Sequence, residues 1–332
     1  MPAADPTNHE SRRFSICLPR PLWIGVATAA LVGSALVVQI GVPCYKQCMA
    51  IQAIEHLQGN VQTVERGPRW LREFVGEDRI RVIDRVVWAW VSSPEVDDAF
   101  MQTFANLPDL TALCVESPNV TDQGLAPLAR LTHMMNLNLD GTDVTDAGLV
   151  EIRALANLRT LSLENTRVTD AGLVNLTRMT KLYDLNLNST LVEDAGLTHL
   201  VGSQELTYLQ LESTFVTDGG LVNLKGLSKL KWLNLDGTQV TDAGLIQLKG
   251  LRHLSRLDLS CTNVAGAGLA HLADLPELKH LQLDFTPITD AGLANVARLP
   301  HLKYLSLLGV TDVSQSAVAE LKQGRADLKI YE

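Results

Sequence analysis

The stretch LNLDGTDVTDAGL, residues 137–149, recurs along the chain at a fixed interval. Close copies begin at Leu161, Leu233 and Leu281, and every offset between copies is a multiple of 24 residues. Aligned on this period, the unit reads LxxLxxLxLxxTxVTDAGLxxLxx. Nine consecutive units begin at Leu107, Leu131, Leu155, Met179, Ser203, Leu227, Leu251, Leu275 and Leu299. A fixed period in the twenties with an LxxLxL core predicts a stacked array of repeats.

The unit that starts at Leu227 shows the physics of one repeat. Leu233 and Leu235 alternate with residues of other types, which predicts a short strand with two leucines facing inward and three side chains facing outward. Thr241 and Asp242 then offer an N-cap hydroxyl and an early-helix carboxylate, so we expect a helix to begin there. Leucines at residues 245, 248 and 251 would bury one side of it.

A glycine recurs inside each predicted helix, although glycine lowers helix propensity. Its repetition indicates that neighbouring helices approach closely at this position. The glycines are Gly148, Gly172, Gly196, Gly220, Gly244, Gly268 and Gly292. A single unit buries too few apolar side chains to offset the entropy of ordering its backbone, so stacking is obligatory.

The TxVTDAGLxxL pattern resembles the leucine-rich repeats of many bacterial membrane-anchored proteins, and its TD-Gly-Leu segment is similar to repeats of eukaryotic F-box receptors. The resemblance covers residues 83–332. It implies an α/β leucine-rich-repeat solenoid, a horseshoe with a parallel concave sheet and convex helices, which recognises proteins on the concave face. The eukaryotic repeats usually have Cys where this chain has Thr, and no F-box is visible, so a ubiquitin-ligase role is not implied.

The N-terminal region has a different composition. Leu22–Val42 is a run of 21 residues without charge, about the length of a membrane-spanning helix. Arg12, Arg13 and Arg20 precede the run and only Lys46 follows closely, so the positive-inside rule predicts a single-pass protein with a cytoplasmic N-terminus and the repeats on the non-cytoplasmic side. A cleaved signal peptide is the alternative, but the run is long for one and no small-x-small site follows it promptly.

These features predict five segments, which begin with a cytoplasmic tail and a signal anchor and end in a closing half-repeat. Ile51, Ile54 and Leu57 keep helical spacing, so the connector is expected to cap the first repeat. The segments are the tail (1–21), the transmembrane signal anchor (22–42), the connector and cap (43–82), the array of 24-residue units (83–322) and the half-repeat (323–332).

Several function classes are excluded. The net charge of -9 argues against a nucleic-acid partner, and the five cysteines form neither a disulfide framework nor a zinc motif. Histidines at equivalent positions lie in repeats that are not adjacent, so they do not converge on a metal. The chain has no Walker loop, no GxSxG elbow and no HExxH helix. We therefore predict no enzyme activity, no catalytic residue, no metal and no cofactor. The sequence does not set an oligomeric state.

The outward strand positions form columns across the predicted sheet. In the first column, large side chains gather towards the C-terminal half, and aromatic and arginine side chains on a rigid surface are typical of binding hot spots. The predicted partner-contact residues in this column are Tyr208, Trp232, Arg256, His280 and Tyr304. Scattered single surface aromatics are the alternative explanation. Trp88 and Trp90 are expected to be buried under the cap.

A second column is acidic and includes Glu212 and Asp236, which we add to the predicted partner contacts. Like charges on neighbouring strands repel each other and require compensation. One explanation is a strip that binds a basic protein or a cation; the other is that these side chains accept turn amides. The column is Glu116, Asp140, Glu164, Asn188, Glu212, Asp236, Ser260 and Asp284.

The repeated aspartates of the TD pair, such as Asp146 and Asp242, are predicted to be helix caps. Ala265 and Gly266 replace the TD pair in one repeat. The whole pattern predicts a membrane-tethered, receptor-like scaffold that binds a protein or peptide on its concave face, with a basic partner if the acidic column takes part. The alternative function is a structural or self-associating cell-envelope protein, with the array as a spacer.

Overall fold

The computed structural model describes residues 32, 34, 35, 37–66, 73 and 84–332. The chain divides into two units, Met1–Lys46 and Gln47–Glu332. Among the described residues, no helix combines the length and the apolar character that a membrane crossing requires. Most of the predicted transmembrane segment, residues 22–42, lies outside the described residues, as do residues 67–72 and 74–82 of the predicted cap.

The described part of the second unit contains one twelve-stranded sheet whose spatial order equals its chain order. β1 and β2 pair antiparallel, and every later pair is parallel. The strands are β1 (Asn60–Val64), β2 (Arg85–Ser92), β3 (Ala112–Glu116), β4 (Asn136–Asn138), β5 (Thr160–Ser162), β6 (Asp184–Asn186), β7 (Tyr208–Gln210), β8 (Trp232–Asn234), β9 (Arg256–Asp258), β10 (His280–Gln282), β11 (Tyr304–Ser306) and β12 (Lys329–Tyr331).

Short helices connect consecutive strands from β2 onwards, and one longer helix, Val42–His56, precedes β1. The α-helices are Val42–His56, Asp98–Met101, Asp122–Leu125, Asp146–Ile152, Asp170–Leu173, Asp218–Leu221, Asp290–Val296 and Gln315–Gly324. The 3-10 helices are Gln102–Asn106, Ala126–Arg130, Val174–Leu176, Gly196–Leu200, Val222–Leu224, Gly244–Gly250 and Ala267–Leu272. A π-helical turn spans Val37–Gly41. The predicted helix after Thr241 is therefore a 3-10 helix, in agreement with the low helix propensity of its glycines.

The core of the array consists of the leucines that the repeat pattern predicts. Leu233 and Leu235 on the strand side and Leu245, Leu248 and Leu251 on the helix side are all 0% exposed. Parallel pairing joins residues 24 positions apart, such as Leu209 with Leu233. Each repeat thus supplies the apolar wall against which the next repeat packs. The parallel α/β solenoid predicted from the sequence is confirmed.

A buried threonine closes the turn after each strand in seven consecutive repeats. Thr238 is 3% exposed, and its Oγ1 donates a hydrogen bond to the Leu235 carbonyl oxygen at 2.6 Å. Because the hydroxyl is satisfied within its own repeat, it is buried without an unpaired donor. The equivalent threonines are Thr142, Thr166, Thr190, Thr214, Thr262 and Thr286.

The threonines of the TD pairs cap the helices, but the aspartates join neighbouring repeats. Thr169 Oγ1 accepts a hydrogen bond from Ala171 N at 3.3 Å, which is the cap. Asp146, from the preceding repeat, accepts hydrogen bonds from Thr169 N at 2.8 Å and Thr169 Oγ1 at 2.7 Å. The prediction that these aspartates cap their own helices is therefore wrong. We call this contact the Asp–Thr bridge, and it recurs at Asp98–Thr121, Asp122–Thr145, Asp194–Thr217 and Asp218–Thr241.

The bridge also explains the repeated glycine. A Cβ atom on Gly172 would overlap Oδ1 of Asp146, and the same overlap arises between Gly244 and Asp218. The glycine therefore leaves room for the carboxylate of the preceding repeat. The close approach predicted at this position exists, but at these junctions the group in contact is a side chain rather than a neighbouring helix.

Both ends of the array differ from the regular repeats. At the N-terminal end, Ala50, Ile54 and Val61 are buried in the same core as the repeats, and β1 adds an antiparallel strand that the sequence pattern does not predict. At the C-terminal end, Tyr304 pairs with Lys329, which is 25 rather than 24 positions away. The last repeat is therefore one residue longer than the 24-residue period.

Candidate binding surface

The predicted contact residues lie side by side on the outward face of the sheet, which we call the sheet face. Tyr208 pairs in register with Trp232, Trp232 with Arg256, Arg256 with His280, and His280 with Tyr304. Each is the first residue of its strand, so the side chains point to the same side. The five residues form one continuous row across β7 to β11.

An aromatic cluster occupies one part of this row. The ring centroids of Tyr208 and Trp232 are 6.1 Å apart in an edge-to-face arrangement. Tyr183, one residue before β6, extends the cluster with a centroid distance of 5.1 Å to Tyr208. A hydrogen bond with Tyr208 raises the pKa of Tyr183, so the Tyr183 hydroxyl stays protonated at neutral pH. The aromatic cluster, Tyr183, Tyr208 and Trp232, is a supported apolar surface with polar tips.

A second group lies at the C-terminal end of the row. The His280 and Tyr304 rings stack with centroids 4.4 Å apart and an interplanar angle of 4°, and Lys329 Nζ lies 5.5 Å from the Tyr304 centroid. Burial lowers the pKa of His280, and the nearby charges of Arg256 and Lys279 lower it further. His280 is therefore neutral at pH 7. Arg256 is exposed and separates this stacked pair from the aromatic cluster.

The acidic column is largely explained by turn amides. Oδ1 of Asp140 accepts from Glu164 N at 2.8 Å, and Oδ1 of Asp284 accepts from Leu308 N at 2.8 Å. Asn188 accepts from the backbone of the next repeat in the same way. These three side chains satisfy the strand ends of their neighbours, so the structural explanation holds for them.

Glu212 and Asp236 behave differently from these three. Oε2 of Glu212 accepts a hydrogen bond from the Asn234 side chain at 3.2 Å rather than from a turn amide. Burial raises the pKa of Glu212, and the charge of Asp236 raises it further. Burial also raises the pKa of the neighbouring Asp258. These carboxylates form a crowded negative region at the carboxyl ends of β7 to β9, where a positive partner group would be favourable.

The described residues contain no group of three or more His, Cys, Asp or Glu side chains that could hold a metal ion. The strand thiol Cys114 is half-buried and donates to Glu116 Oε1 at 3.6 Å. Burial, followed by the charge of Glu116, raises the pKa of Cys114 to about 12. This thiol is therefore protonated at neutral pH and is a poor nucleophile.

Two sequence expectations about the sheet face need correction. The sequence predicts that Trp88 and Trp90 are buried under the cap, but both are half-buried on β2, where they pair with Gln62 and Asn60. The predicted contacts also omit Tyr183 and Lys329, which complete the two aromatic groups. In the 24-residue alignment Tyr183 occupies the position just before β6. An aromatic residue at that position, next to the first column, is a sequence feature that could have indicated the contact with Tyr208. Lys329 follows Tyr304 by 25 residues, so the strict 24-residue period does not align it with the row.

Comparisons with known proteins agree with the repeat architecture. Residues 250–273 match the family model described as Leucine Rich repeat. No curated protein matches the chain. The matched segment corresponds to one repeat and lies within the array seen in the structure.

Solved structures share the fold at low identity. An internalin of Listeria monocytogenes superposes with a TM-score of 0.53 and 21% identity over 74% of this chain and 79% of that chain. A chain of the mouse RP105/MD-1 complex gives a TM-score of 0.56 and 20% identity over 69% of this chain, and a TDR receptor gives 0.50 and 15% over 73%. The alignments cover 39% and 40% of those two chains. These likenesses establish a leucine-rich-repeat type of fold for the array.

Proposed function

We propose that this protein is a membrane-tethered scaffold that binds a protein or peptide on its sheet face. The observation that carries the proposal is the continuous row from Tyr208 to Tyr304, in which aromatic rings support each other next to an exposed arginine. Aromatic and arginine side chains of this kind dominate binding energy in protein interfaces. A mouse structure that shares the fold is described as a complex of RP105 with MD-1, which is consistent with this use of the architecture.

The proposed tether is the apolar run Leu22–Val42. Its support is the absence of charge over 21 residues and the arginines that precede it. Among the described residues at the C-terminal end of the run and just after it, Val38, Val42 and Tyr45 are 64%, 42% and 66% exposed, so these three side chains are largely uncovered. The proposal places the repeats on the non-cytoplasmic side. Retention in the membrane fraction after an alkaline carbonate wash is the expected result, and release by that wash would contradict the tether.

We also propose that the protein is not an enzyme. Several polar side chains of the sheet face, such as Asp140 and Asp284, are engaged by turn amides, and Cys114 is a poor nucleophile. No nucleophile, base and acid converge in the part of the chain that the structure describes. A binding role needs only the outward side chains, which agrees with what the sheet face presents.

The binding face is tested by photocrosslinking in native membranes. A photoreactive residue at position 232 is expected to capture a partner, whereas one at position 246, where Ile246 is 47% exposed on the helix side, is not. Equal capture from both positions would favour a spacer. Capture of a second copy of this chain would favour the self-associating envelope function instead.

The row itself is tested by substitution. Tyr208→Ala combined with Trp232→Ala is expected to weaken binding of the captured partner by about 30-fold or more, since a truncated hot spot costs about 2 kcal/mol or more. Both rings stand on the surface, so the thermal midpoint should change little. Phe215→Ala, which removes a 49% exposed ring away from the row, is the matched control. Unchanged affinity of the double variant would remove the row from the binding site.

A further inference from the structure

An open cavity of about 570 Å³ lies beside the aromatic cluster, at the amino ends of β4 to β6. Its position on the sheet face puts it next to the first strands of the row rather than over the acidic column. The lining residues are Asn136, Arg159, Thr160, Lys181, Tyr183 and Glu205. Only one of the six is acidic, and five carry hydrogen-bond donors.

The donors of this cavity are largely unused. The side chains of Asn136, Arg159 and Thr160 have no hydrogen bond or ion pair with any residue that the structure describes. Lys181 Nζ donates one hydrogen bond to Asn157 Oδ1 at 2.7 Å and keeps two further N–H groups. The cavity therefore offers a guanidinium fork, an ammonium, an amide and a hydroxyl to a ligand.

The charge of the cavity is positive in a chain whose net charge is -9. Its single acid, Glu205, is neutralised by Lys229 Nζ, which lies 2.6 Å from Oε1 and 2.7 Å from Oε2. Asp184, which pairs in register with Thr160, is half-buried; burial raises its pKa, and its carboxylate accepts a hydrogen bond from the Gln210 side chain. Among the lining residues, Arg159 and Lys181 are thus the charged groups without an ion-pair partner that the structure describes.

Tyr183 joins the cavity to the aromatic cluster, because it lines the cavity and its ring contacts Tyr208. A ligand group bound by Arg159 and Lys181 would therefore adjoin the surface of Tyr183, Tyr208 and Trp232. The opposite region of the sheet face, around Glu212, Asp236 and Asp258, is negative. The sheet face thus has a positive corner and a negative edge with aromatic rings between them.

We propose that this cavity binds an oxyanion carried by an acidic segment of the protein partner, either a side-chain carboxylate or a phosphate or sulfate ester. Arg159 would bind it in a bidentate manner and Lys181 as a point charge, with Asn136 and Thr160 as further donors. This inference rests on the proposed function and names the chemistry of the partner at one end of the row. The charge complementarity of the cavity selects an acidic segment over a basic or neutral one.

The test uses short labelled peptides of one scaffold whose central residue is glutamate, phosphoserine, sulfotyrosine, serine or lysine. Fluorescence anisotropy with the full-length chain in detergent is expected to show binding of the anionic peptides and weaker binding of the serine and lysine peptides. Binding should weaken as salt shortens the Debye length. The order among the three anionic peptides identifies the source of the oxyanion. Equal binding of all five peptides, or binding by none, would overturn the proposal.

The variant Arg159→Gln with Lys181→Gln is expected to lose about fivefold in affinity per removed charge for the best anionic peptide, which corresponds to the upper range for exposed ion pairs. Arg153→Gln with Arg178→Gln, which removes the same net charge from exposed positions on the helix side, is the matched control. Equal losses in both variants would show general electrostatic attraction and overturn a defined site.

The two proposals fail in distinguishable ways. If a partner is captured from position 232 but the Arg159 and Lys181 variant binds it as tightly as the wild type, the sheet face binds the partner without this oxyanion site. If no partner is captured from position 232, the proposed function fails first. Anisotropy with the synthetic peptides still reports on the cavity in either case, because it does not depend on the native partner.

Discussion

Neighbouring repeats are hydrogen-bonded to each other by different groups at two junctions of the array. At the first, Asp218 accepts hydrogen bonds from Thr241 N and Oγ1 at 2.8 and 2.6 Å, and Gly244 leaves room for that carboxylate. At the second, Ala265 and Gly266 replace the TD pair, and Thr289 N donates to the Ala265 carbonyl oxygen at 3.3 Å. The first junction is made by a side chain and the second by backbone.

The difference shows what the repeated glycine does. At the second junction Gly266 has a φ of +105°, and a Cβ on Gly292 would overlap Ala265 O and lie 2.8 Å from Gly266 Cα. At this junction Gly292 lies directly against the backbone of Ala265 and Gly266 in the preceding repeat. At the bridged junctions the glycine accommodates a carboxylate that can rotate, whereas here it accommodates backbone that cannot. The same residue in the repeat pattern therefore carries different constraints in different repeats.

The largest expected effect is that of Gly292→Ala. Its Cβ would overlap backbone atoms of Ala265 and Gly266, which cannot turn aside as the end of a side chain can, so we expect a loss of about 3 kcal/mol in the free energy of unfolding. Gly172→Ala is the matched comparison and should cost about 1 kcal/mol, because the Asp146 carboxylate can move and alanine favours the helix. Urea denaturation of both variants measures the difference. Equal losses would show that the two junctions are mechanically alike.

A smaller effect is expected when one bridge is removed. Asp146→Ala leaves the Thr169 N–H and hydroxyl without their partner, which should cost about 2 kcal/mol. Asp143→Ala removes an aspartate that pairs with the exposed Arg167, and it should cost much less, because solvent screens an exposed ion pair. The urea midpoints of the two variants provide the test. If Asp146→Ala proved as mild as Asp143→Ala, the bridges would not hold the repeats together.

The smallest expected effect is a pH dependence at the junction where Asp290 accepts hydrogen bonds from Ser314 of the following segment. Hydrogen bonds from Ser314 N and Oγ hold the pKa of Asp290 below its ordinary value of 3.8. A depressed pKa in the folded state contributes stability that is present above pH 3.8 and is lost as the pH falls through the lowered pKa.

The thermal midpoints of the wild type and Asp290→Asn, measured from pH 6 downwards, report this contribution. The wild type should be the more stable protein above pH 3.8, and the two curves should converge in more acidic solution. A gap that widens as the pH falls would contradict the assignment, because it would require a raised pKa. Thr289 has no carboxylate partner across its own junction among the residues that the structure describes, so it supplies no comparable slope.

Much of the fold and part of the candidate surface can be predicted from the sequence, because residues at the same position of successive repeats become neighbours in the folded array. Residues 24 apart are neighbours in the sheet, so the order of the row from Tyr208 to Tyr304 follows from the period alone. The period does not describe how side chains turn. The period places Tyr183 just before β6, but it does not give the 5.1 Å contact of its ring with Tyr208, and it does not show that Arg159 and Lys181 share a cavity.

The sequence by itself determined the parallel solenoid, its buried leucines and the residues that face outward, because hydrophobic periodicity fixes which side chains must leave water. Only the tertiary structure decided that each bridging aspartate bonds to the following repeat, that β1 closes the N-terminal end antiparallel, and that Gly266 meets Gly292. These features depend on distances between groups in different repeats, and a one-dimensional pattern specifies the neighbours of a residue without specifying the geometry of their contact.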